Sequence, residues 1–159
     1  MQQALIFYIL LLGCCSYALW RGGAPERWAA ALQIVAVILA GLPQLQTGAE
    51  CPPYDLSPRG FLVDGAFLVA LYAIALTADR FWPMAAAGLQ TANFIVHLGK
   101  LFAPDVLPLG YGLGLAPWIY PKLVLFAIGA WRHQQRLARY GADPSWSPSR
   151  SPREILQNA

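Results

Sequence analysis

Five long apolar runs constrain this chain more than any other feature of its sequence. They cover residues 4–20, 28–45, 61–78, 82–102 and 111–131. A helix needs about 17–25 apolar residues to cross a hydrocarbon core of about 30 Å, and each run has that length. Only 12% of the residues are charged and 57% are hydrophobic, against about 25% and about 45–50% in soluble domains. The runs therefore predict an all-α integral membrane bundle of about five transmembrane helices.

Tryptophan residues support the ends of these runs. Trp20, Trp28, Trp82 and Trp131 each lie at the end of a run. Indole rings favour the boundary between headgroups and hydrocarbon. We therefore expect the helices to reach the bilayer surface near these four positions.

The first half of the fifth run has a composition that is poor for a regular helix. Its segment "LGYGLGLAPWIYPK" contains Gly110, Gly112, Gly114, Pro117 and Pro121. Glycine and proline both destabilise helix interiors, and irregular backbone at membrane depth needs protein or trapped water to satisfy it. We therefore expect an unwound or kinked segment that faces the bundle interior. If this segment is re-entrant, four helices cross the membrane.

Positive charge is distributed unequally between the two sets of flanking segments. Because cytoplasmic loops carry the excess of Arg and Lys, we place the N-terminus outside and the C-terminus in the cytoplasm. We expect the last helix to extend to residue 140, so that residues 1–140 form the bundle. The Pro- and Ser-rich residues 141–159 are expected to form a disordered cytoplasmic tail. The outer flanking segments contain Arg59 alone. The segments placed in the cytoplasm contain Arg21, Arg27, Arg80, Arg132, Arg136 and Arg139.

Two adjacent cysteines, Cys14 and Cys15, lie within the first run. The segment "LLGC" resembles a lipoprotein acylation site, but no basic residue precedes it, as a secretory signal requires. Acylation at Cys14 would also make the mature chain begin outside the membrane with four helices remaining. The Arg-rich tail would then end outside as well. Adjacent thiolates resemble the pair of bacterial mercuric-ion transporters and suit soft metals. We favour a packing role, in which small residues here allow close helix approach, and we expect no metal site.

Polar side chains form a stripe along the fourth run. Four of them are three, four and three positions apart, which places Gln90, Asn93, His97 and Lys100 on one helical face. An unpaired polar group in hydrocarbon is costly, so the stripe is expected to face the bundle interior. At the helical rise, Asp64 lies at about the depth of His97, and Lys122 lies near the middle of the fifth run. We predict an intramembrane polar cluster of Asp64, Gln90, Asn93, His97, Lys100 and Lys122, with Gln33 as a further candidate.

Two classes of function remain open from the sequence. The preferred one is a non-enzymatic accessory or oligomeric membrane subunit, whose stripe pairs with a partner helix or a second copy. The alternative is a small transporter or ligand-binding membrane protein with its site at Asp64, His97, Lys100 and Lys122. An enzyme ranks third, because no dense catalytic motif occurs. No cofactor and no nucleic-acid partner is expected. A bis-His haem would need two histidines at one depth, and zinc needs three or four ligands.

The second half of the chain carries a resemblance to known proteins. The segments "ADRFWPMAAAGLQTANFIVHLGKLF" and "APWIYPKLVLFAIGAWRH" resemble small uncharacterised multipass inner-membrane proteins of Gram-negative bacteria. The resemblance implies a multipass protein of a bacterial inner membrane, with the lipid bilayer as its main partner. It implies no activity.

Overall fold

The described residues of the computed structural model are 2–47, 58–78, 80–102, 108–141 and 143. They form five α-helices and no strand. The helices are α1 (Gln2–Arg21), α2 (Ala24–Thr47), α3 (Pro58–Thr77), α4 (Phe81–Phe102) and α5 (Pro108–Tyr140). Each predicted apolar run lies within one of these helices, except that Ala78, the last residue of the third run, follows the end of α3. The all-α prediction is confirmed.

Proline and glycine mark the ends of the helices. Proline occurs in the first turn of α2, α3, α4 and α5, where its missing N–H has no intrahelical partner to lose. Gly141 ends α5 in the left-handed region at φ 72°. Its N–H donates to the carbonyl of Leu137 at 2.9 Å, which caps the last turn.

Helix α5 does not unwind where the sequence predicts an irregular segment. It is helical from Pro108 to Tyr140 for 33 residues and includes Pro117 and Pro121, so the expectation of an unwound first half is wrong. The two prolines are four positions apart, so they interrupt one face of the helix, and that face is exposed. The face bearing Lys122, Leu123 and Phe126 is buried against the bundle. In the first half itself, Gly114 packs against Val96 of α4, where a Cβ would lie 3.0 Å from Val96 Cγ1. Packing of α5 against α4 therefore offsets the poor helix propensity. The extension of α5 to residue 140 is as predicted.

The five helices form a closed ring in chain order. Each helix packs against the next one, and α5 returns to pack against α1. The centre of the bundle contains many small residues, among them Cys15, Ala18, Ala30, Ala86 and Ala130, all fully buried. Small residues let helix backbones approach closely. The sequence predicts a packing role for Gly13, Cys14 and Ser16, but Gly13 and Ser16 are exposed and Cys14 is half-buried. The fully buried member of this segment is Cys15.

The outer surface of the bundle carries many large apolar side chains. Leu76 is 84% exposed, Phe102 83% and Phe81 75%. Among the described residues, one helix, Pro58–Thr77, has the length and apolar composition needed to cross a membrane. The polar stripe lowers the mean hydropathy of α4, and the charged residues of its first turn lower the mean hydropathy of α2.

Candidate functional site

Four of the predicted polar residues meet inside the bundle. Asp64 comes from α3, Gln90 and His97 from α4, and Lys122 from α5. We call these four residues the stripe cluster. Gln90 is 0% exposed, Lys122 4% and His97 6%. Of the four predicted stripe residues, the structure thus brings Gln90 and His97 together with Asp64 and Lys122.

Gln90 joins the two charged members of the stripe cluster. Its Nε2 donates to Asp64 Oδ1 at 3.0 Å, and its Oε1 accepts from Lys122 Nζ at 2.5 Å. A lysine ammonium only donates and a carboxylate only accepts, which fixes the orientation of the amide. Lys122 Nζ also lies 4.9 Å from the centre of the Phe67 ring, where a cation–π contact stabilises it.

Asp64 and His97 form the other end of this hydrogen-bond chain. His97 Nε2 lies 2.7 Å from Asp64 Oδ2. The Phe61 ring packs at a right angle to the imidazole, with 6.5 Å between ring centres. The side chain of Asp64 is 29% exposed, against 8% for His97. Asp64, in the second turn of α3, is therefore the most exposed member of the stripe cluster.

The other predicted members lie nearby. Asn93 and Lys100 are half-buried on α4. Gln33, the further candidate on α2, is 3% exposed, and its Oε1 has no hydrogen-bond partner among the described residues.

The two adjacent cysteines lie on α1, which contributes no residue to the stripe cluster. Cys15 is fully buried in the core, and Cys14 is half-buried beside it. In the described part of the chain, no group of three or more His, Cys, Asp or Glu residues is arranged to hold a metal ion. Cys51 lies outside the described residues, as does almost all of the predicted tail.

A second buried network, which the sequence analysis missed, ties the opposite end of the bundle together. We call it the end cluster. Glu26 at the start of α2 is 0% exposed, and its Oε1 accepts from Arg80 Nη1 at 2.5 Å and from Trp82 Nε1 at 2.8 Å. Trp82, which we expected at the bilayer surface, is instead 5% exposed inside the bundle. The end cluster contains Glu26, Arg80, Trp82, His133, Arg136 and Asp143.

Asp143 connects the segment after α5 to this end cluster. Its Oδ2 accepts from Arg80 Nη2 at 2.8 Å and lies 2.5 Å from His133 Nδ1, while its Oδ1 accepts from Arg136 Nε at 2.9 Å. Burial alone would raise the pKa of the Asp143 carboxyl. The hydrogen bonds from Arg136 and His133 and the charge of Arg80 outweigh burial, so the pKa of Asp143 is lowered.

A close helix approach makes room for Trp82. Gly129 of α5 faces the indole, and a Cβ on Gly129 would lie 2.9 Å from Trp82 Nε1. Phe126, one turn earlier on α5, meets the same indole edge-on, with 5.7 Å between ring centres. The indole N–H can therefore reach Glu26 only because residue 129 has no side chain.

The two clusters differ in what they can do chemically. The end cluster has two carboxylates held by two guanidinium groups, an arrangement that joins chain segments. The stripe cluster has a single carboxylate in contact with an imidazole, an acid–base pair that holds a proton in alternative positions. No protein-family model, no curated protein and no solved structure matches this chain.

Proposed function

We propose that this chain is a multipass helical protein of a bacterial inner membrane, and that it carries protons across the membrane by binding and releasing them at the stripe cluster. The proposal joins two inferences, one about the solvent around the bundle and one about the chemistry inside it. Each is supported by a different set of residues.

The distribution of polarity supports the membrane location. Large apolar side chains such as Leu76 and Phe102 cover the outside, whereas Lys122 and Gln90 are buried. A water-soluble domain rarely exposes contiguous apolar surface on this scale. In a bilayer, ionisable residues within the helices face the interior and pair with one another. A lipid environment accounts for both features at once.

The hydrogen-bond chain from Lys122 through Gln90 and Asp64 to His97 carries the proton-binding proposal. Asp64 and Lys122 supply opposite charges, so the cluster is neutral overall when His97 is neutral. The His97 imidazole and the Asp64 carboxylate are 2.7 Å apart, so a proton can lie on either partner of this hydrogen bond. Phe61 and Phe67 line the cluster with aromatic surface. A proton is the smallest ligand that this compact cluster accepts without moving a helix.

Proton movement through purified protein in liposomes tests the proposal. The vesicles enclose a pH-sensitive dye, and a potassium gradient with valinomycin drives protons inward. We expect the wild-type protein to acidify the lumen faster than protein-free vesicles do. Asp64→Asn and His97→Gln should return the rate to the protein-free level, because each removes one partner of the acid–base pair while keeping its shape.

Asn93→Ala is the matched control, since Asn93 lies on the same face of α4 between the two members Gln90 and His97. It should keep the wild-type rate. Wild-type vesicles that acidify no faster than empty ones would contradict the proposal, as would an unchanged rate in both pair variants. Either result would favour the other class, a non-enzymatic accessory or oligomeric subunit. In such a subunit, the only role of the stripe cluster would be to hold α3, α4 and α5 together.

A further inference from the structure

Two adjoining hollows lie along the surface of α5. The first, which we call the apolar groove, lies between α1 and α5 and has a volume of about 370 Å³. It is lined by Cys14, Tyr17, Val124, Ala127, Ile128 and Trp131. The second, which we call the arginine pocket, has a volume of about 250 Å³. It is lined by Arg132, Gln135, Arg136, Arg139 and Tyr140.

The groove and the pocket form one continuous surface. Ile128 of the groove and Arg132 of the pocket are four positions apart, as are Trp131 and Gln135, so both sets share a face of α5. From Val124 to Arg139 this face extends about 22 Å at the helical rise. Apolar lining therefore passes directly into basic lining along one side of one helix.

The charge of the pocket points to an anion. Arg132 and Arg139 are exposed. Arg136 donates to Asp143 through Nε, whereas its Nη2 has no hydrogen-bond partner among the described residues. Guanidinium groups bind phosphate oxygens in pairs of parallel hydrogen bonds. Three of them within two helical turns are a phosphate-binding arrangement.

We propose that this surface binds one anionic phospholipid, with the phosphate in the arginine pocket and an acyl chain in the apolar groove. The charge and the apolar lining together favour a phospholipid over two other occupants. A membrane helix would place no anion at the arginine pocket, and a soluble phosphate would leave the apolar groove empty. Trp131 lies at the junction with its side chain 52% exposed, a position that suits an indole between headgroup and acyl chain. The inference rests on the proposed membrane location and not on proton binding.

Native mass spectrometry of the detergent-purified protein measures this binding directly. The protein is titrated with phosphatidylglycerol and, in parallel, with phosphatidylcholine of the same acyl chains. We expect one tightly bound phosphatidylglycerol and clearly weaker binding of phosphatidylcholine. The double variant Arg132→Gln and Arg139→Gln should weaken phosphatidylglycerol binding by about 30-fold, since each basic residue near an anionic headgroup contributes about fivefold.

The double variant Arg21→Gln and Arg27→Gln is the matched control. It removes the same charge from exposed residues near the same end of the bundle, on α1 and α2, and should leave the affinity unchanged. Ala127→Phe fills the groove without changing charge and should also weaken phosphatidylglycerol binding. Glycerol phosphate, which has the headgroup phosphate without acyl chains, should fail to compete at equal concentration.

Equal affinity for the two lipids would overturn the inference, as would an equal loss in the control variant. Full competition by glycerol phosphate would show that the groove takes no part, and would overturn it too. Recovery of the chain from cells without detergent would instead refute the membrane location itself. A protein that needs detergent but shows no lipid preference refutes the lipid site alone.

Discussion

The end cluster leads to a stability prediction that begins with Glu26. Its carboxylate is 0% exposed and accepts hydrogen bonds from both Arg80 and Trp82 through Oε1. Glu26→Ala removes the acceptor and leaves the Arg80 guanidinium, whose side chain is 3% exposed, without one of the two carboxylates that it contacts among the described residues. Breaking a buried ion pair by removing one partner costs about 3–5 kcal/mol.

The structure places the expected loss near the lower end of that range. Arg80 keeps its bond to Asp143 at 2.8 Å, so its charge is not left without a counter-ion. The Trp82 N–H, however, loses the only acceptor that the structure defines for it, and an unsatisfied buried donor adds about 1–3 kcal/mol in its own right. We therefore expect Glu26→Ala to lower the free energy of unfolding by about 3 kcal/mol. Glu26→Gln should cost less, because its amide oxygen still accepts a hydrogen bond.

Equilibrium unfolding of the detergent-purified protein by dodecyl sulfate, followed by circular dichroism, measures these differences. Arg27→Ala is the control, because Arg27 is the next residue and is exposed. Its effect should stay within about 0.5 kcal/mol. If Glu26→Ala unfolds at the same dodecyl sulfate fraction as Arg27→Ala, Glu26 does not hold the ends of α2 and α4 together. The prediction also requires that the free energy of unfolding increase from Glu26→Ala through Glu26→Gln to the wild-type protein.

Three further predictions follow from the described contacts and the charge distribution. Gly129→Ala should destabilise the protein by about 1–3 kcal/mol in the same unfolding assay, because its Cβ would meet Trp82, whereas Gly13→Ala, with nothing within 4 Å, should not destabilise it. The lowered pKa of Asp143 means that its contribution to stability is present above about pH 4 and is lost as the pH falls through the lowered value. Asp143→Asn should therefore remove this part of the acid-dependent loss, as read from unfolding midpoints between neutral and strongly acidic pH. A reporter enzyme fused after Arg139 should be active only in the cytoplasm and one inserted near Ala49 only outside; the opposite pattern would refute the assigned orientation.

The helices themselves were predictable because length and composition are local signals. Apart from the start of the first run, the apolar runs end next to or near proline, glycine or charge. The helices begin and end close to those residues, except that α5 continues through Arg132 to Tyr140. The error at α5 has a physical cause. Proline and glycine propensities describe an isolated helix, and they give no weight to packing against a neighbouring helix, such as the contact of Gly114 with Val96 of α4. Packing of α5 against α4 favours the helical conformation of this segment.

The stripe cluster was also predictable, since its members on α4 repeat with the helical period. Gln90 and His97 are seven positions apart, so one face contains both of them. An estimate of depth permitted Asp64 to contact either His97 or Lys100, and the structure shows the contact with His97. What the sequence could not supply was the role of Gln90 as the link between Asp64 and Lys122, because amide orientation depends on partners from two other helices.

The end cluster had no comparable signal in the sequence. Its residues lie at helix ends, with 54 residues between Glu26 and Arg80 and 63 between Arg80 and Asp143. Arg80 contributed only a positive charge to the topology argument, and Asp143 belonged to a segment expected to be disordered. These contacts depend on how helices that are distant in sequence pack together, so they can be recognised only in the folded bundle. The one hint was a glutamate beside an apolar run, which is a weak signal by itself.

The relation between the two clusters limits how a proton could pass through the bundle. On α4, Ala86 lies one turn from Trp82 of the end cluster and one turn from Gln90 of the stripe cluster. On α5, Phe126 and Ala130 lie between Lys122 and His133. These three intervening residues are fully buried and apolar, so no polar side chain among them relays a proton between the clusters. Asp64 is the most exposed member of the stripe cluster, so we expect the cluster to exchange protons on that side. Passage to the end cluster along these two helices requires α4 and α5 to move apart, so flux should saturate with the driving gradient as carrier transport does.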